Sequence, residues 1–225
     1  MMPLTENCPK PLLKVRGKPL IVWQILNLVK AGITDIVINH AYLGHIIENT
    51  LGDGSQFGAK IQYSRETEAL DTAGGIANAL HLLGDQPFLA ISADIYCPYF
   101  DYAQCLTTLE DNDMWGKPIP KDKRDIAWLY MVKNPAHHPA GDFAMNLFSL
   151  SVQPKNAGDL KYTFANIAVY RPEMFDSITP GESAKLVTLF HHYANQGQLG
   201  GELINSAWTN VGTPEQLNEL NCELS

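Results

Sequence analysis

Lys10 stands between Pro9 and Pro11, and flanking prolines stiffen the backbone and keep a regular helix from enclosing the lysine. A pre-set loop of this kind can aim an ammonium at an anion; the same tripeptide also describes an ordinary exposed lysine in a proline-rich turn. Asp71-Thr72-Ala73-Gly74-Gly75-Ile76 lies where a strand gives way to a helix. Glycines there let a planar base or a ribose approach the backbone closely, and a simple tight turn would use them equally well. Asp94 closes the apolar run Pro87 to Ala93. A carboxylate at a strand end can hold a divalent cation that bridges nucleotide phosphates, or can cap the following turn. His137 and His138 are adjacent, with no partner at i+3 or i+4 read as giving ligand geometry, so they are taken as loop or substrate-contact residues.

These groups need elements to hold them. Leu20, Ile21, Gln24, Ile25, Leu28 and Val29 recur at helical spacing within Pro19 to Ala31, and Gly32 supplies a stop. Asp35 to Asn39 is a short β-branched run of the kind found in a strand buried on both faces. Helices are expected over Tyr42 to Leu51 and Thr72 to Leu83, and strands over Lys60 to Ser64 and Pro87 to Ala93. This alternation argues for an α/β fold with a doubly wound, mainly parallel sheet and sites at the carboxyl ends of its strands. Further on, a helix is expected from about Asp101 to Glu110, an exposed loop from Lys117 to Lys123, and strands over Ile126 to Val132, Phe143 to Leu150 and Tyr162 to Tyr170 that build a mixed sheet region around the substrate. A helix over Ser183 to Ala194, a strand over Leu203 to Trp208 and a capped helix start at Thr213-Pro214-Glu215-Gln216 complete the pattern.

Composition narrows the function. The 225 residues suit one α/β domain, 1–225, with 45% hydrophobic and 18% charged residues, as in a folded globular chain. A formal charge of −8 argues against nucleic acid, which demands clustered Lys and Arg. Four cysteines without a C-x-x-C pair read as reduced thiols. With neither a signal-peptide pattern nor a membrane-length apolar run, the expectation is a cytoplasmic protein with small-molecule partners and no membrane.

Pro3-Leu4-Thr5 and Pro9-Lys10-Pro11-Leu12 resemble the opening of the sugar-phosphate nucleotidyltransferases, in which an apolar strand and a glycine-rich loop come first. The resemblance implies that Lys10 meets nucleotide phosphates as the catalytic cation and that Ala73, Gly74 and Gly75 meet the nucleobase. Ser92-Ala93-Asp94 stands where that family carries a triplet ending in a metal-binding aspartate. Trp208-Thr209-Asn210-Val211-Gly212-Thr213 is similar to its W-x-D-x-G-T segment, with Asn210 in place of the second carboxylate. An amide oxygen can ligate Mg2+ while adding no charge; Asn210 reads equally as a turn residue. Asn134 to Phe143, with Ile38 to Gly44 and Leu51 to Gly58, looks like the N-acetylmuramate-1-phosphate uridylyltransferase branch. That branch implies UTP and a sugar 1-phosphate as substrates, transfer of UMP in cell-wall recycling, and Asp142, Asn166 and Lys185 as sugar-phosphate contacts. A solvated surface role describes those three residues as well.

The signature opens at the first residues given, so the native protein is expected to begin upstream of Met1 with one more strand and the loop, and the chain without them to be less stable. Two alternatives stand beside the enzyme: a noncatalytic nucleotide-sugar binder, and a transferase for another base or sugar.

Overall fold

The computed structural model describes residues 1–109, 111–112, 115–158 and 160–222. In chain order its elements are β1 (Lys14–Val15), β2 (Lys18–Pro19), α1 (Leu20–Lys30), β3 (Asp35–His40), α2 (Gly44–Leu51), β4 (Lys60–Arg65), α3 (Asp71–Leu83), β5 (Phe88–Ile91) and β6 (Ile95–Tyr96). They continue with β7 (Ala127–Val132), β8 (Phe143–Asn146), β9 (Ser151–Gln153), β10 (Lys161–Tyr170), α4 (Leu186–Asn195), β11 (Leu199–Leu203), β12 (Thr209–Asn210) and α5 (Pro214–Cys222). The fold is α/β with mixed sheets. Parallel pairing joins β3 to β4 and β7 to β11, and the remaining ladders are antiparallel.

The chain divides into two compact units, the first made of Met1–Leu70, Ser92–Ala103 and the residues from Ser206 onward. At its centre lies α1, whose regularly spaced apolar residues serve two clusters. Ile21, Val22 and Ile25 pack with Leu12, Ile47, Leu51 and Ile61, while Leu20 packs with Leu13, Val15, Tyr96, Val211, Leu217 and Leu220. Arg16 and Gly17, both at positive φ, form the two-residue loop between β1 and β2, the turn whose twist matches paired strands. Asn221 of α5 clamps that loop, accepting from the Arg16 N–H at 2.7 Å and donating to the Lys14 carbonyl at 3.2 Å. Strand β3 departs from expectation. None of its six residues is fully buried, because β4 is its one pairing partner among the described residues and Ile36 and Ile38 alone of its side chains join the apolar cluster.

The second unit comprises Asp71–Ile91 and Gln104–Asn205. Its sheet runs β5-β10-β7-β11-β9-β8, and ten-residue β10 also pairs with β8. Leu129, Met131, Phe143, Val152 and Ala168 form a core with Ala73 and Ala77 of α3 and Phe190 and Ala194 of α4. Residues Tyr102–Thr107 are a 3-10 helix where an α-helix was expected; Glu110, its expected end, lies outside the described residues. Strand β11 occupies Leu199–Leu203, not Leu203 to Trp208. Side chains at Gly200 and Gly201 would collide with the Trp128 ring and the Leu129 carbonyl of β7. The expected strand Phe143 to Leu150 ends at Asn146, since the Asn146 side chain accepts from the N–H groups of Phe148 and Ser149 and turns the chain.

Candidate active site

Within the first unit, three sequence-selected residues come together. Pro9 precedes a single 3-10 turn, Lys10–Leu12, closed by N–H groups of Leu12 and Leu13 on the carbonyls of Pro9 and Lys10. This fixes the base of the Lys10 side chain, whose Nζ donates to Asp94 Oδ2 at 2.5 Å. Both side chains keep a little under a third of their surface accessible. The pair is therefore reachable by a solvated anion or cation while being only partly screened by water.

Asp94 sits in a turn whose own bond, from the Ile95 N–H to the Ser92 carbonyl, is long at 3.4 Å. Two other elements reinforce it. The Asp94 carbonyl accepts from the Val211 N–H at 2.9 Å, just beyond the short ladder that pairs Asn210 with Ile95 and Thr209 with Tyr96. From α1, the Gln24 amide donates to the carbonyls of Ser92 at 2.8 Å and Ile95 at 3.1 Å. The spacing within α1 counts Gln24 merely as a regular helix position; the sole sequence signal for more is a polar residue on an apolar stripe. Asn210 is the third member. Its Oδ1 is buried and has no hydrogen-bond partner among the described residues, although an unsatisfied buried acceptor costs about 1–3 kcal/mol. An oxygen held without a donor, one ladder position from a carboxylate-bearing turn, suits a hard, oxygen-seeking cation.

The second unit places the other candidates. Ala73, Gly74 and Gly75 are buried in the first turn of α3. The N–H groups of Ala73 and Gly74 both donate to the Ala184 carbonyl, at 3.0 and 3.1 Å, so two of the three residues assigned to a nucleobase have their backbone donors engaged within the protein. The same contact brings exposed Lys185, the N-cap of α4, to the start of α3. Ser183 Oγ donates to Asp71 Oδ2 at 3.3 Å, and Asp71 itself has a φ of 56°. Asn166 also has a φ of 56°, in the stretch of β10 where the register with β7 shifts. Such bulges re-aim side chains and recur beside functional sites.

Asp142 is more engaged than expected. It accepts from the Phe164 N–H at 2.9 Å and lies 2.9 Å from His138 Nε2. Asp142 stands four residues after His138 and serves it as a hydrogen-bond partner. No cluster of three or more metal-binding His, Cys, Asp or Glu side chains occurs among the described residues.

Residues 1–120 match the nucleotidyl transferase family. The chain belongs to that family. It is 44% identical over 220 residues to the N-acetylmuramate alpha-1-phosphate uridylyltransferase of Neisseria meningitidis serogroup B, an alignment covering 97% of this chain and 90% of that protein. It is 42% identical over 227 residues to a mannose-1-phosphate guanyltransferase of Gibberella zeae, covering 99% of this chain but only 60% of the relative. Among solved structures, the nucleotidyl transferase fold recurs in a UDP-glucose pyrophosphorylase complexed with UDP-glucose. The TM-score is 0.73 at 15% identity, with 98% of this chain and 92% of that one covered. HddC from Yersinia pseudotuberculosis complexed with GMP-PN gives a TM-score of 0.72 at 18% identity, with 96% and 89% covered. Lys10, Ala73 to Gly75 and Asp94 fall inside the matched residues, and Asn210 falls outside them.

Proposed function

We infer that the chain transfers UMP from UTP to N-acetylmuramate 1-phosphate, releasing pyrophosphate and forming UDP-N-acetylmuramate, as a cytoplasmic step of peptidoglycan recycling. The pairing of Lys10 with Asp94 beside the donorless Asn210 oxygen carries this reading, and the identity to the Neisseria uridylyltransferase supports the choice of base and sugar. No helix among the described residues is long and apolar enough to cross a membrane.

In the reaction a phosphate oxygen of the sugar attacks the α-phosphorus of UTP. The new P–O bond forms as the bond from the α-phosphorus to the oxygen bridging to the β-phosphate breaks, and that oxygen leaves on pyrophosphate. No covalent enzyme intermediate is required, so positioning and charge stabilisation supply the catalysis. Lys10 brings a positive charge on a stiff turn, suited to neutralising the phosphates at which charge develops. Asp94 and Asn210 are the residues that would hold Mg2+, whose bound form supplies Lewis-acid stabilisation of phosphoryl oxygens. The Ala73-Gly74-Gly75 turn faces the base in this reading, while Asp142, Asn166 and Lys185 serve the sugar phosphate.

Pyrophosphate release from UTP and N-acetylmuramate 1-phosphate tests the proposal directly. Turnover is expected with that pair, and Lys10→Ala should lower it by about a hundredfold to a thousandfold, the range for losing one preorganised charge-stabilising group. The guanyltransferase relatives make GTP with mannose 1-phosphate the informative competitor. Faster turnover with that pair would overturn the assignment of base and sugar; none with any pair, while nucleotide still binds, would favour the noncatalytic binder.

A further inference from the structure

Gln24 is 7% exposed, a polar residue on the helix that otherwise fills two apolar clusters. A leucine or isoleucine would satisfy that packing without the desolvation of an amide, which costs about 1–3 kcal/mol when unpaired. Its Nε2 spends both hydrogens on one short segment, on the carbonyls of Ser92 and Ile95. Those carbonyls bracket Asp94, two residues before and one after. The backbone bond across the same turn, at 3.4 Å, is longer than either of Gln24's at 2.8 and 3.1 Å, so α1 holds this turn more firmly than the turn holds itself. With the Val211 N–H on the Asp94 carbonyl, the peptide groups around Asp94 are tied on both sides and the carboxylate is left to face Lys10.

We propose that Gln24 is a positioning residue, setting the Asp94 carboxylate against Asn210 so that the two oxygens act together on a divalent cation. This rests on the reading of Asp94 and Asn210 as the metal pair. Among the described residues the Gln24 side chain hydrogen-bonds backbone carbonyls and neither ligand's side chain; the influence runs through the backbone of the Ser92–Ile95 turn. Removing the amide hydrogens leaves two carbonyls without that donor and frees the peptide planes that aim Asp94. Outer partners that orient a ligand are typically worth ten- to a hundredfold in metal affinity.

Asn27, one turn further along α1, provides the comparison. Its Nδ2 donates at 3.1 Å to the Pro98 carbonyl, a similar anchor from the same helix to the same stretch of chain but four residues beyond Asp94. Free Mn2+ is measured by electron paramagnetic resonance with the full chain and UTP, alongside UTP affinity in EDTA and the thermal midpoint. Gln24→Leu should weaken Mn2+ binding about tenfold or more while changing metal-free UTP affinity by less than about twofold. Asn27→Leu should lower the midpoint comparably and leave Mn2+ affinity where it was. Gln24→His, which keeps one ring N–H, should fall between wild type and Gln24→Leu, and it carries the comparison should the leucine variant not fold. Unchanged Mn2+ affinity in the Gln24 variants, or an equal loss in Asn27→Leu, overturns the proposal and leaves Gln24 a packing residue. Asp94→Asn separates the two failures. If it loses Mn2+ while the Gln24 variants do not, only the positioning role falls; if it too leaves Mn2+ binding intact, the metal pair falls and the proposal with it.

Discussion

At the scale of single residues, charge decides how the candidate site works. Asp94 brings one negative charge, Lys10 offsets it at 2.5 Å, and Asn210 adds an oxygen with no charge. Coulomb attraction between the bare protein and a divalent cation is therefore weak, and most of the attraction must come from the ligand phosphates. Restoring the missing carboxylate tests that. Asn210→Asp should tighten Mn2+ binding to the nucleotide-free protein by about tenfold, since a second carboxylate raises affinity for a hard cation. Titration followed by electron paramagnetic resonance measures it, and equal affinities in the two proteins would show that position 210 does not reach the ion. Lys10, Asp94 and Asn210 were all legible in the sequence, the first two from their place beside prolines and at a strand end, the third from a motif resemblance. Gln24 was not, because its partners lie 68 and 71 residues away and no local pattern reports a contact at that separation. The His138 contact with Asp142 went unread because the i+4 spacing was weighed for metal-ligand geometry and not for a hydrogen bond within the loop.

Elements show the same division between local and distant causes. The start of α5 is written in four residues. Thr213 Oγ1 accepts from the Gln216 N–H at 3.3 Å, and Gln216 Oε1 accepts from the N–H groups of Gly212 and Thr213 at 2.8 and 3.0 Å, the reciprocal pairing expected of a T-x-x-Q start with proline at its first position. Gln216→Ala removes the one acceptor that takes two of those bonds and should cost about 1 kcal/mol, seen as a lower urea midpoint; an unchanged midpoint would mean that water replaces the side chain without loss. Helix α1 was equally plain, because its apolar period and the glycine after it are local. Strand β11 was hidden for the opposite reason. Gly200 and Gly201 look like a turn until β7 is placed beside them, with Trp128 opposite Gly200 and Leu129 opposite Gly201 in parallel register. Glycine at 200 leaves room for the indole, which also donates to Glu202 Oε1 at 3.2 Å. Gly200→Ala should accordingly destabilise by about 1–3 kcal/mol, the usual consequence of overpacking, and a thermal midpoint equal to wild type would show that the Trp128 ring can move aside.

For the molecule as a whole, the sequence pattern gave the class of fold and a mixed sheet region over Ile126 to Tyr170 but not the order of its strands, because that order depends on which strands meet. Among the described residues parallel ladders are confined to β3–β4 and β7–β11, and long β10 draws β5, β7 and β8 into antiparallel contact. Global stability should in turn depend on a carboxylate that no motif marks. Glu48 of α2 accepts a two-pronged contact from Arg65 at the end of β4, at 2.7 and 2.6 Å, and lies 2.8 Å from His40 Nε2 at the end of β3. The Arg65 hydrogen bonds, opposed in part by desolvation and aided by His40, hold the Glu48 carboxyl down at about 2. An unfolded glutamate titrates near 4.3, so protons bind the unfolded chain first as pH falls. The stabilisation is then complete above about pH 4.5, erodes below it, and is gone once pH passes the folded value near 2. Glu48→Gln cannot titrate and should remove this part of the acid limb. Denaturant midpoints compared at pH 7 and pH 3 should fall less for Glu48→Gln than for wild type. Parallel declines would mean that other carboxylates, among the 24 acidic residues of the chain, set the acid sensitivity instead.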